Sequence, residues 1–158
     1  MNLSEIIKTG IEPALALLPA KMDTPAARVM LLAIGLQESR FIHRRQINGP
    51  ARGFWQFERG GGVVGVLTHS ASAALARQVC EARGVTPTAP AVYAQLESDD
   101  VLAAAFARLL LWTDPGRLPA VGDSKGGWDL YARTWRPGKP HQQTWSDLHA
   151  QAVAEVAP

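Results

Sequence analysis

The sequence has one cysteine, Cys80, so no internal disulfide can form and no cysteine-based zinc site exists. It also lacks long hydrophobic runs. The longest, residues 29–36, falls well short of the ~18 residues of a membrane span. The opening segment, MNLSEIIKTGIEP, has no basic start followed by an apolar run, so it does not read as a signal peptide. A product acting outside the cytoplasm would then need another route of delivery. No stretch of four to eight residues alternates β-branched or aromatic types with polar ones, so no regular strand is predicted. Internal repeats and low-complexity segments are absent. Gly60-Gly61-Gly62 lacks the Lys-Ser/Thr of a phosphate-binding loop, and His43, His141 and His149 show no metal-ligand spacing. No metal or cofactor is expected.

Apolar residues make up 47% and charged residues 19% of the sequence, which excludes a disordered chain. The 158 residues match one domain. A chain of this length can bury roughly 70% of its unfolded surface, enough for a core and a cleft. The formal net charge is +2 and the pI about 9.0. Twelve of the sixteen basic residues are arginine, and five of these lie between Arg40 and Arg59 against one acid, Glu58. That loop reads either as a solvated basic surface or as one that meets a polyanion.

The rest reads as helix. A first helix is predicted over residues 3–8, stopped by Gly10, and a second short one from Pro13 to before Pro19. Thr24-Pro25 is a strong start: a capping hydroxyl, then proline at the first helical position. That helix should run to Glu38, and its apolar middle marks it as buried in the centre of the domain. The glycines and Pro50 within residues 40–62 predict a structured loop with a possible β excursion. Further helices are predicted over residues 63–69, 71–82 (with Gly84 beyond the end) and 91–97, the last after a turn at Pro87 and Pro90. Ser98 reads as the cap, with Asp99 and Asp100 behind it complementing the positive end, of a helix ending at Trp112. A loop over 114–127, a helix to Trp135, a break at Arg136-Pro137-Gly138 and a last helix over 144–156 complete the chain.

Glu38 is the first candidate for chemistry. Residues three, four and seven positions earlier are Gly35, Ile34 and Leu31, so its flank is apolar. Partial burial and the negative helix end should both raise its pKa. A carboxyl kept protonated near neutrality suits a general acid for glycoside cleavage. The plainer alternative is a helix-end Glu paired with Arg40 or Arg44. Gly35, one turn below, would leave space for a ligand.

The segment ESRFIHRRQINGPARGFWQ, from Glu38 to Gln56, resembles the site motif of the lytic transglycosylases of the lysozyme-like superfamily. In that motif Glu-Ser and an aromatic residue are followed by a loop ending Gly-Ala-x-Gly-Leu-Met-Gln. Glu38, Ser39 and Phe41 match the first part; Ala51, Gly53 and Gln56 match the second, at the family's interval. Phe54-Trp55 replaces Leu-Met, Pro50 replaces a glycine, and His43, Arg45 and Ile47 stand where the family has proline, alanine and serine. Tyr131 matches a cleft-wall tyrosine of the family, although Ala132-Arg133-Thr134 replaces the family's Asn-Ala-Gly after it. Residues 128–145 look more like small phage and prophage proteins of this fold.

The resemblance implies a mainly α, lysozyme-like domain over residues 1–158, with a central buried helix and a glycine-rich loop beside a cleft. It implies cleavage of the β-1,4 bond between N-acetylmuramic acid and N-acetylglucosamine in peptidoglycan, by one catalytic residue, Glu38. Ser39, Gln56, Phe54, Trp55 and Tyr131 would be substrate-binding. The partner would be the glycan strand, not a specific nucleic acid, and the protein would be a monomer. A phage product would reach the wall through a holin lesion or in the virion. A hydrolytic muramidase, a non-catalytic phage structural or wall-binding protein, and a basic nucleic-acid binder remain as alternatives. Trp112 and Trp145 read as core, whereas Trp55, Trp128 and Trp135 sit beside glycine and charge, where a ring can stack on sugar. Glu58 is either a second carboxylate, as hydrolysing glycosidases use, or an ion-pair partner of Arg52 or Arg59. His69 reads as a helix-end residue. Gly53 is expected where backbone passes close to Glu38 or sugar.

Overall fold

A computed structural model describes residues 1–157. Among these the protein is mainly helical: α1 (Leu3–Ile6), α2 (Glu12–Ala16), α3 (Pro25–Ser39), α4 (Val64–Thr68), α5 (Ala73–Ala82), α6 (Ala89–Leu96), α7 (Asp100–Trp112), α8 (Ser124–Trp135) and α9 (Gln142–Val156). None of these helices is long and apolar enough to cross a membrane.

Helix α3 starts as its sequence demands. The Thr24 hydroxyl accepts from the Ala27 N–H at 3.1 Å, and Pro25 occupies the first turn, where no N–H is needed. Every residue from Val29 to Leu36 is buried. A helix apolar on all sides must be surrounded, and α9 and α7 pack against it. Helix α7 is nearly as apolar and also packs on α2, α4, α5, α6 and α8. Burial of these two helices is the main stabilising term.

Several boundaries differ from the sequence reading, each for a local reason. Gly10 does not stop the first helix. A π-helical turn, Ile7–Ile11, joins α1 to α2, and the Glu12 N–H donates to the Ile7 carbonyl five residues back. Pro13 sits just beyond it, near the start of α2. The widened turn is compatible with a ring that would crowd the carbonyl four residues earlier in a regular helix. Gly60, Gly61 and Gly62 are likewise helical, in a second π turn (Arg59–Val63) that leads into α4. Pro90 belongs to the first turn of α6 behind the Thr88 cap, rather than to a linker. Helix α8 begins at Ser124, because the Asp123 carboxylate accepts from the Gly126 N–H at 2.9 Å. The last helix starts two residues before Thr144.

The α7 cap is Asp99, not Ser98. One Asp99 oxygen accepts from the Leu102 N–H at 3.0 Å, and Arg83 donates to both oxygens at 3.0 and 3.1 Å. The carboxylate therefore starts the helix and ties α5 to it. Asp99→Ala should cost about 2 kcal/mol or more, since both the cap and a partly buried ion pair are lost. Asp99→Asn keeps a capping oxygen and should cost less. Urea denaturation of the two variants checks the order.

Candidate active site

Helix α3 ends by a sharp reversal. Arg40 and Phe41 both take left-handed backbone, at φ 56° and 55°. The Phe41 ring then folds back over Gly35, where a Cβ would lie 2.1 Å from the ring. Gly35 therefore makes room for Phe41 and not for a ligand. The Ser39 hydroxyl accepts from the Phe41 N–H at 3.1 Å and lies 2.7 Å from the Phe54 carbonyl, to which it donates. It is thus buried and engaged by backbone, a structural contact rather than the substrate-binding one expected of it.

The loop beyond is a small β excursion held by isolated antiparallel bridges between Arg45 and Arg52 and between Arg52 and Phe57. Its glycine-rich end turns inward. Gly53 has φ 78° and lies against Leu96, whose carbonyl would be 3.1 Å from an added Cβ. The close approach expected at Gly53 is thus to α6, not to Glu38. Phe54 and Trp55 are both only 1% exposed, which corrects their expected contact with sugar. Phe54 packs edge-on against Phe41 at 5.5 Å, as does Trp55 at 5.6 Å. The Trp55 indole donates to the Leu31 carbonyl of α3 at 2.8 Å. These aromatics anchor the loop to the central helix.

Glu38 stands on the last turn of α3, half-buried, with the Tyr131 hydroxyl of α8 donating to its Oε1 at 2.7 Å. Neither Arg40 nor Arg44 pairs with it. Arg40 folds onto the Leu36 and Gln37 carbonyls that end α3, and Arg44 forms a two-pronged pair with Asp100 at 2.9 and 2.8 Å. Burial pushes the Glu38 carboxyl up to about 7, against the opposing pull of the Tyr131 hydrogen bond. Since a cation sits on the carbonyls of the helix end, desolvation carries the shift. Burial and the Glu38 charge also hold the Tyr131 phenol protonated, well above its ordinary range.

Glu38 and Tyr131 open into a cleft of about 660 Å³, with Gln56, His43 and Gln46 on the loop side and Trp135 on α8. Gln56 has φ 54° and donates from its side chain to the Gly53 carbonyl at 3.0 Å. The far wall is the turn over residues 136–141, held by Gln37, whose side chain donates to the His141 carbonyl at 3.1 Å and accepts from the Thr144 hydroxyl at 2.9 Å. The sequence reading did not anticipate this wall, although the Arg136-Pro137-Gly138 break signals a turn. A second cleft of about 800 Å³ lies beyond Glu58, Trp135 and Arg136, which border both. Its Asp114 and Arg133 neutralise each other at 2.8 Å, so the unusual carboxyl chemistry lies on the Glu38 side.

The other candidates sort clearly. Trp135 is half-buried and borders both clefts, its indole donating to the Trp55 carbonyl at 2.9 Å. Trp128 and Trp145 are core, 9% and 2% exposed, in a cluster where Tyr131 stacks on Trp145 at 5.3 Å. Trp112 is only partly buried. Glu58 is exposed at the cleft rim and pairs with neither Arg52 nor Arg59. His69 follows α4, its Nδ1 accepting from the Ala71 N–H at 3.0 Å. Arg45 pairs with Glu97 at 2.7 Å, and Arg52 donates to the Gly49 and Ala51 carbonyls at 2.8 and 2.9 Å. Four of the five loop arginines are thus held by groups of the protein itself, which weakens the reading of this loop as a polyanion surface.

Comparison with protein-family models, with curated proteins and with solved structures gave no match.

The raised Glu38 pKa has a consequence for stability. Between about pH 4.5 and 7 the unfolded chain gives up this proton before the folded one does. Stability therefore falls as pH rises through that window, by ~1.4 kcal/mol per unit of pKa difference. Glu38→Gln abolishes the fall. It should match the wild type below pH 4.5 and exceed it by up to ~3 kcal/mol above pH 7, as read by denaturant unfolding across the range. Tyr131→Phe removes a bond that favours the anion, so the Glu38 pKa should rise further. Carboxyl ¹³C NMR titration measures it; an unchanged or lower value would exclude this role for the phenol.

Proposed function

We propose that the protein is a peptidoglycan-cleaving enzyme of the lytic transglycosylase type, built as a lysozyme-like domain with Glu38 as its single catalytic residue. The observation that carries this reading is the Glu38 carboxyl itself: half-buried, open to a cleft and held at one oxygen by Tyr131, so that burial pushes it up to about 7. Such a group is protonated often enough to act as acid and ionised easily enough to act as base. The Glu-Ser to Gln56 spacing supports the same reading.

In the proposed reaction Glu38 protonates the oxygen that links N-acetylmuramic acid to N-acetylglucosamine, and the bond from that oxygen to the anomeric carbon breaks. The substrate's acetamido group assists from the opposite face, so no second carboxylate is required. The Glu38 anion then takes the proton of the muramoyl 6-hydroxyl as that oxygen bonds to the anomeric carbon, giving the 1,6-anhydro product. Tyr131 stabilises the anion between these steps and holds one oxygen, leaving Oε2 to carry the proton. Gln56 and Trp135 are the wall residues available to the sugar. Release through a holin lesion, or carriage in a phage virion, would bring such an enzyme to the cell wall.

A hydrolytic muramidase is the second reading, favoured by one observation: Glu58 stands unpaired at the rim of the same cleft. Mass spectrometry of released muropeptides separates the two, since hydrolysis leaves reducing ends and transglycosylation leaves anhydro ends.

Glu38→Gln is nearly isosteric and removes only the proton donor. It should fold and lose at least ~100-fold of lytic activity in zymograms on purified peptidoglycan. Activity within a few-fold of wild type would remove Glu38 from catalysis. Peptidoglycan binding by a wild type that does not lyse would favour a non-catalytic wall-binding protein.

A further inference from the structure

Beside the C-terminal end of α7, a separate cavity of about 440 Å³ is lined by Arg108, Trp112, Lys21, Arg117, Leu111 and Leu118. It contains no residue of the Glu38 cleft. Arg108 is the unusual member. It is only 2% exposed, yet just one of its nitrogens has a protein partner: Nε donates to the Met22 carbonyl at 2.9 Å. Nη1 is sealed from solvent with no acceptor. Buried guanidinium groups without an acceptor are rare, because desolvation is then uncompensated.

Among the described residues Arg108 has no counter-ion of its own. The Asp23 carboxylate is near enough to act on it through space, but Arg28 holds both Asp23 oxygens at 2.9 and 3.0 Å. Asp114, at the cavity edge, is held by Arg133. Burial lowers the Arg108 pKa only to about 10, so the charge persists at neutral pH. Lys21 and Arg117 add two exposed cations, neither in an ion pair among the described residues. Three cations therefore face one carboxylate that is already paired.

The remaining wall is apolar and aromatic. The Trp112 ring has the Lys21 ammonium at 5.4 Å and the Arg108 guanidinium at 5.4 Å from its centroid. Cations around a flat ring offer charge and a stacking face in one place. The volume lies within the ~300–1,000 Å³ of small-molecule sites.

We propose that this cavity is a binding site for a small organic anion. A carboxylate or phosphate head meets Arg108 at Nη2, the nitrogen that has no partner and is not sealed off, with help from Lys21 and Arg117, and an apolar or planar body lies against Trp112, Leu111 and Leu118. The site is distinct from the proposed glycan cleft and does not depend on that reading.

The test uses the whole protein and ¹⁵N NMR of the Trp112 indole and the Arg108 Nε–H. Inorganic phosphate probes the head alone, benzoate and phenyl phosphate probe head plus body, and benzyl alcohol probes the body alone. Saturable shifts at both signals are expected. At least one of benzoate and phenyl phosphate should bind roughly tenfold tighter than inorganic phosphate, because a ring is buried, and benzyl alcohol far more weakly. Which of the two binds tighter tells carboxylate from phosphate. Arg108→Met, which places an apolar chain of similar length in the cavity, should abolish anion binding. Lys21→Met with Arg117→Gln alters only exposed groups and should weaken it several-fold, which keeps the test decisive if Arg108→Met misfolds. Non-saturating shifts, benzyl alcohol binding as tightly as benzoate, or affinity unchanged in either variant would overturn the proposal.

Discussion

The Phe41 ring lies across Gly35 so closely that any larger residue at position 35 would displace it. To bring the ring there, the chain leaves α3 through two consecutive left-handed residues. That reversal turns the following loop back along the helix. Phe54 and Trp55 pack on Phe41, Ser39 donates to the loop backbone, and the Trp55 indole reaches the Leu31 carbonyl. Trp135 then donates to the Trp55 carbonyl, which brings α8 alongside the loop. The position of Tyr131 beside Glu38 therefore depends, through a short series of contacts, on an absent side chain at Gly35.

The same geometry sets the electrostatics. The loop shields one side of the Glu38 carboxyl and the aromatic cluster of α8 and α9 the other, which removes water and favours the neutral acid. Tyr131 alone opposes this, with one hydrogen bond to the anion. Four of the five loop arginines do not, because each of the four has a nearer partner: Asp100 for Arg44, Glu97 for Arg45, carbonyls for Arg40 and Arg52. Had one of these cations reached Glu38, the carboxyl would titrate as an ordinary acid or below it. The basic character of the loop is thus compatible with a raised pKa at its centre because two of its charges are paired with acids and two are turned onto backbone carbonyls, away from Glu38.

Elements with strong local signals were legible in the sequence. Helix α3 was, because a Thr-Pro cap and an unbroken apolar stretch agree on start and burial. The end of α5 beside Gly84, and the break after Trp135, were legible for similar reasons. What failed was the reading of glycine and proline as stops. Gly10, Gly60 to Gly62 and Pro90 all lie in helical turns, where π geometry or an N-terminal position removes the conflict. Trp55 and Phe54 looked exposed because glycine and arginine flank them, yet hydrophobic burial against α3 decides their place. The meeting of Glu38 with Tyr131 spans 93 residues and left no local trace. Only the resemblance of the motif put the two residues together.

The cleft is also where the backbone is least relaxed. Gln56, Arg136 and His141, all on its walls, take positive φ without being glycine, and Arg40 and Phe41 follow Glu38 closely in the same conformation. Residues held in this region cost of order 1 kcal/mol each and persist only where surrounding contacts determine them. Three contacts do so here: Gln37 on the His141 carbonyl, Phe41 on Gly35, and the Gln56 side chain on Gly53. The first two belong to the last turns of α3, and the third lies within the loop that packs on it. A helix buried along its whole middle, from Val29 to Leu36, can hold strained backbone at one end because its interior packing is worth far more than the strain. The central helix thus does two things by one means: its buried length stabilises the domain, and that stability holds the cleft residues in geometry they would not adopt alone.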